Sequence, residues 1–123
     1  MKVATYRGEL EAMAEDNRDY RRVLFTGDHS QLVVMSLEPG EEIGEKIHAV
    51  DQIIYCVKGE GEALVEHQAG EFEKGVAILI PAGVSHNIRN TGEEPLKVFT
   101  VYAPPAHPAG TRQASKPEVV ALR

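Results

Sequence analysis

The sequence predicts an all-β domain, a sandwich or barrel. Short runs rich in β-branched and apolar residues recur along residues 20–105, spaced about 8 to 12 residues apart as in small β-domains. The segments between them carry Gly, Pro and acidic residues that suit tight turns. After Tyr102 the composition changes to "APPAHPAGTRQASKPEVVALR", which holds four of the seven prolines and cannot form a central strand.

In chain order, "ELEAMAEDNRDY" near the start has helix-like composition but a weak period, and is expected to form a short helix or turn. The strand runs are "YRRVLFTG", "SQLVVMSL", "DQIIYCVKG", "GEALVEH", "VAILIPAG", "SHNIRN" and "PLKVFTVYAPP". Between them, "EPGEE", "KGEG", "HQAGE", "EKG", "PAG" and "NTGEEP" are expected as turns. The barrel core is placed at about 20–103 and a C-terminal arm at about 104–123, lying on the barrel or on a neighbouring subunit. At 123 residues the chain is one domain, long enough to bury about two-thirds of its unfolded surface.

Composition narrows the functional classes. A net charge of −6 argues against a nucleic-acid binder, which needs a basic face to displace counterions. No apolar run reaches the roughly 20 residues of a membrane span, and the start lacks a signal-peptide core. A single cysteine, Cys56, makes no internal disulfide and suits a reducing compartment, so a cytoplasmic protein is expected.

The chemistry concentrates in "GEKIHAVDQ" and "GVSHN". Lys46 and His48 lie two apart, so on one strand they share a face. Gln52 opens the next run across a short "AVD" turn, where hairpin pairing would return it toward His48. His86 follows 34 residues after Gln52. Two imidazoles and an amide oxygen, if brought together, offer three ligands to a first-row metal. Spacing alone leaves the ordinary reading open, in which each histidine is a satisfied polar residue.

The stretch "PGEEIGEKIHAVDQIIYCVKGEG", followed by "GVAILIPAGVSHNIRN", resembles the two signature motifs of the cupin superfamily. In the first motif Gly40 and Gly59 hold the glycine positions, Lys46 and His48 the two histidine positions, and Gln52 the glutamate position. In the second, Gly75, Pro81, Gly83, His86 and Asn90 match every fixed position. Flanking "EEIG" and "VYAPPAHPAGT" are similar to small single-domain cupins grouped loosely with mannose-6-phosphate isomerase-like proteins. The resemblance implies a double-stranded β-helix, or jelly-roll, barrel with His48, Gln52 and His86 as metal ligands facing its interior.

Lys46 occupies the fourth ligand position. A protonated amine has no lone pair and repels a dication, and Gln52 in place of Glu removes a negative charge. Three arrangements follow. Lys46 swings to the mouth and leaves a His-Gln-His face. Alternatively Glu42, which shares strand parity with Lys46 and His48, points inward to ligate or to neutralise Lys46. Otherwise no metal binds, and Lys46, His48 and His86 form a cationic pocket.

The expected function is a metal-dependent enzyme, isomerase- or oxygenase-like, on a polar small metabolite such as a sugar or organic acid. Its metal is Mn, Fe, Ni or Zn, with Lys46 as the catalytic group. The alternative is a non-catalytic module that binds an anionic small ligand without metal. A homodimer is expected through the exposed strand "YRRVLFTG". His29 and His67 are read as solvated turn residues, His107 as packing in the arm in preference to reaching a pocket, and Cys56 as a buried inert thiol. Tyr55, Phe99 and Tyr102 are read as core in preference to cavity lining.

Overall fold

The structure, a computed structural model, describes residues 4–117. Helix α1 (Leu10–Asp16) precedes strands β1 (Arg21–Thr26), β2 (Gln31–Leu37), β3 (Asp51–Lys58), β4 (Glu60–Val65), β5 (Gln68–Glu73), β6 (Ala77–Ile80), β7 (His86–Asn90), β8 (Leu96–Ala103) and β9 (Arg112–Gln113). Two antiparallel sheets face each other, one in the order β6-β3-β8-β2-β1-β9 and the other β5-β4-β7. This is the double-stranded β-helix barrel that the sequence predicts.

Alternation fixes the faces of the larger sheet. Gln52, Ile54 and Cys56 on β3, and Leu96, Val98, Thr100 and Tyr102 on β8, are buried. Most of them join Val33, Met35, Leu37, Phe72 and Ile88 in one core cluster. Val34 and Val57 belong to a second, smaller cluster, where Ala14 of α1 covers the sheet's outer face with Leu10, Tyr55 and Phe99. The helix is thus a lid on the outside of the larger sheet and takes no part in the interior.

Two expectations about turns change. "HQAGE" is not a turn but the start of β5, paired with β4 from Val65↔Gln68 to Glu60↔Glu73. The turn lies one step earlier, at Glu66 and His67, both with positive φ (50° and 67°). Such a pair makes a tight hairpin that normally calls for Asn or Gly. β5 is an edge strand whose residues are exposed except Phe72, so its sequence has no apolar alternation to betray it.

The second change concerns the segment 39–50. It is mostly irregular and forms no continuous strand with β7, which it meets through the isolated bridges Glu42↔Arg89 and Lys46↔His86 and single backbone hydrogen bonds such as Ile43 N–H to Ile88 O at 3.0 Å. Gly44, at φ +99°, interrupts it in a conformation L residues rarely adopt. Strand parity from Glu42 to His48 therefore fails.

The arm lies on its own barrel. Gln113 and Arg112 pair with Arg21 and Arg22 as β9, and Val23 N–H donates to Thr111 O at 2.8 Å. The β1 edge, nominated by the sequence as the dimer strand, is thus already paired at Arg21 and Arg22. The residues from 118 onward lie outside the described residues.

Candidate functional site

One end of the barrel is closed by packing. There Leu37 pairs with Leu96, and Gly61 lets strands approach so closely that an added Cβ would sit 2.5 Å from Arg89 O. Toward the other end, where β3 and β7 begin and β8 finishes, the barrel holds a cavity of about 200 Å³. Its wall includes Arg21, Lys46, His48, Gln52, His86, Tyr102 and His107, with Ile43, Ile54 and Ile88 as an apolar lining.

The fold brings His48, Gln52 and His86 to this wall by routes of different kinds. His86 begins β7, where its backbone exchanges hydrogen bonds with Lys46 (Lys46 N–H to His86 O, 2.8 Å; His86 N–H to Lys46 O, 3.0 Å). Its ring Nδ1 lies 3.0 Å from Val84 O. A carbonyl only accepts, so Nδ1 is the donor, and Nε2 is the nitrogen that can offer a lone pair to a metal. A backbone carbonyl fixing the second nitrogen is the usual support of a metal-ligating imidazole.

His48 is held by the backbone, its carbonyl accepting from Gly83 N–H at 2.8 Å. Its ring centroid is 5.3 Å from that of His86. Burial, then the neighbouring His86, Lys46 and Arg21, holds its pKa below the ordinary histidine value, which keeps a lone pair available at neutral pH.

Gln52 does not return toward His48 by a hairpin. It sits on β3 between Ile80 of β6 and Tyr102 of β8. Its Nε2 donates to Thr100 Oγ1 at 3.0 Å, while its Oε1 is buried without a partner. Lys46 is exposed at the rim of the cavity.

Glu42 is not brought to this wall. Its carboxylate accepts from Arg89 Nε at 3.1 Å and from Asn87 Nδ2 at 3.2 Å. Cys56 is buried, and burial pushes its thiol up to about 11. His29 and His67 are exposed, with His67 Nε2 3.6 Å from Glu45.

Arg21 escapes the sequence reading, in which it is one of two arginines on a strand; it shares the parity of the inward Val23. For His107 the sequence reading prefers packing in the arm to reaching a pocket. In the fold its ring makes an edge contact with Tyr102 at 5.1 Å, and Tyr102 in turn faces His48 at 5.7 Å. Gln31, buried beneath the arm, fixes His107 through its backbone, donating to His107 O at 2.7 Å and accepting from its N–H at 3.0 Å.

The donor types present, two imidazole nitrogens and an unpaired amide oxygen, fit a first-row divalent metal. The charge does not help it. Among the described residues no Asp or Glu lines the cavity, and no group of three His, Cys, Asp or Glu side chains is close enough to hold a metal. Binding would rest on neutral donors and would be weaker than at a site with a carboxylate.

A barrel of this topology with its donor residues gathered at one mouth defines the cupin class. The model of the cupin domain family matches residues 33–102, and the chain belongs to that family. It is 41% identical over 119 residues to the uncharacterized protein YrkC of Bacillus subtilis, covering 91% of this chain and 64% of that protein's length. The crystal structure of BH2720 from Bacillus halodurans is 42% identical, with a TM-score of 0.90, over 92% of this chain and 91% of that one. A predicted oxalate decarboxylase from Thermotoga maritima is 28% identical, with a TM-score of 0.57, over 59% and 64% of the two chains.

Proposed function

We propose that this cupin binds a divalent transition metal, Mn, Fe, Ni or Zn, through His48, Gln52 and His86, and acts on a small polar metabolite. The observation that carries this reading is the pairing of a free His86 Nε2, left bare by the Nδ1–Val84 contact, with the unpartnered Oε1 of Gln52 in the same cavity wall. Bound there, a metal would supply Lewis-acid polarisation of a substrate oxygen. In this reading Lys46, at the rim, holds an anionic group of the substrate or moves a proton.

The similarity to a predicted oxalate decarboxylase is consistent with an acid as substrate. A cytoplasmic setting suits the single, buried Cys56. Pairing of two copies through β1 would use Leu24–Thr26, the part of that strand beyond the arm's contacts at Arg21, Arg22 and Val23.

Metal analysis of untagged protein tests the reading. It is expected to show a bound metal that is lost in the His48→Ala/His86→Ala variant, and a melting temperature that rises on adding the metal. Less than about a tenth of an equivalent per chain, with no thermal shift for any of the four metals, refutes it. A second reading, a metal-free module for an anionic ligand, is favoured by a specific observation: the cavity wall carries Arg21 and Lys46 and, among the described residues, no carboxylate.

A further inference from the structure

Three buried side-chain polar atoms among the described residues lack a hydrogen-bond partner: Arg21 Nε, Gln52 Oε1 and His107 Nε2. All three residues line the one cavity. Buried polar atoms are paired in the great majority of cases. Three orphans around a single cavity therefore mark hydrogen bonds left for a bound molecule to make.

Gln52 belongs to the ligand set above, but Arg21 and His107 do not. They come from opposite ends of the described chain, and each is held by contacts of its own. Arg21 Nη1 donates to Gln113 Oε1, and the guanidinium carbon sits 5.1 Å over the Tyr20 ring. His107 is fixed by Gln31 through the backbone of the arm.

With Nη1 engaged, the edge of Arg21 left over is Nε–Nη2. Two parallel N–H groups on that edge match the two oxygens of a carboxylate. Among the described residues no Asp or Glu forms an ion pair with Arg21. In a chain of net charge −6, an arginine kept clear of carboxylates beside a carboxylate-free cavity is placed for an external anion.

We propose that the cavity's ligand carries a carboxylate that seats on Arg21, with His107 of the arm as a second hydrogen-bonding group. The size of the cavity, about 200 Å³, corresponds to roughly seven waters at liquid density. It suits a hydroxy or oxo acid of a few carbons, whose short chain lies against Ile43, Ile54 and Ile88. The proposal rests on the reading that this cavity binds a small molecule, and does not depend on a metal being present.

Calorimetric titration of the full chain with lactate, pyruvate and malonate, against lactamide, pyruvamide and inorganic phosphate, tests it. Each titration is run in EDTA and again with added manganese. The acids are expected to bind at least about 10-fold more tightly than the amides, and Arg21→Lys, which keeps the charge but loses the fork, to weaken them by about 10-fold or more. Gln113→Ala, which frees the guanidinium but leaves it in place, should give a smaller loss.

Equal binding of acid and amide overturns the proposal. So does unchanged acid binding in Arg21→Lys with a native melt, binding of phosphate alone, or no acid binding up to about 10 mM. Should Arg21→Lys fail to fold, the wild-type comparison and Gln113→Ala decide. Metal content measured on the same samples keeps the two readings apart. Acid binding without metal sinks only the metal reading, and metal uptake without acid binding sinks only this one.

Discussion

Replacing Gln31 by Leu should loosen the arm and, with it, one wall of the cavity. Gln31 is 1% exposed and makes four hydrogen bonds. Three reach the arm: Nε2 to His107 O (2.7 Å), Ala106 N–H to Oε1 (3.1 Å) and His107 N–H to Oε1 (3.0 Å). The fourth runs from Nε2 to Thr26 Oγ1 (2.9 Å). Leu fills nearly the same volume, so the packing loss is small and the polar loss dominates. At about 1 kcal/mol net per hydrogen bond, the three arm contacts amount to about 3 kcal/mol. The cost is capped because the arm can turn its freed backbone groups to water. Hydrogen exchange reads this directly. Protection of the Ala106 and His107 amides should fall about 100-fold, and the urea midpoint should drop, while β3 and β8 amides follow only the global loss. If those two amides keep their protection and the midpoint does not move, Gln31 is not what holds His107 over the cavity.

Three further outcomes follow from the same geometry. Gly61→Ala puts a Cβ 2.5 Å from Arg89 O and 2.9 Å from Leu96 Cδ2, between strands that cannot separate, so urea unfolding should show a loss of about 1–3 kcal/mol. Cys56, pushed up to about 11 by burial, should resist a disulfide reagent at pH 8 in the folded protein and react at once in urea; fast native labelling would contradict its burial. His107 is held down to about 4, by burial first and then by Arg21 and His48. The folded state thus refuses a proton that the unfolded chain accepts near pH 6.5. The resulting stability is complete above that value and is lost as pH falls toward 4. Urea unfolding at pH 7 and pH 4.5 should show the loss, and His107→Gln should remove part of it, with His48, shifted in the same direction, supplying another part.

The strands with apolar alternation were legible because their pattern is the barrel's own inside and outside: Gln52, Ile54 and Cys56 of β3 point in, and the period says so. β5 was not, since an edge strand with one buried residue, Phe72, carries almost no pattern. Nor was β9, two residues in a proline-rich arm whose pairing with β1 is a tertiary fact. At the site, His48, Gln52 and His86 were found through motif register. The local argument placed Lys46 and His48 on one face, and both line the cavity, but its hairpin route for Gln52 was wrong, since Gln52 arrives on β3 beside Tyr102. Glu42 was drawn in by a parity that Gly44 abolishes. Arg21 and His107 were illegible for a different reason. Each reaches the cavity through contacts 92 and 76 residues away in the chain, to Gln113 and Gln31 respectively, and no window of sequence contains both partners.

The charge of the wall ties these residues together. Against the cupin motif that the chain resembles, Lys46 stands where a histidine is usual and Gln52 where a glutamate is usual. Both replacements move the cavity in the positive direction. Arg21, on a separate strand and outside either motif, moves it the same way, and Glu42, the carboxylate that strand parity had turned inward, is spent on Arg89 and Asn87. A dication alone would add to this charge without compensation, at a Coulombic cost that grows as water is excluded. An anionic ligand reverses the balance whether or not a metal accompanies it. The changes at Lys46 and Gln52 therefore read less as decay of a metal site than as one half of a site whose other half is the acid on Arg21.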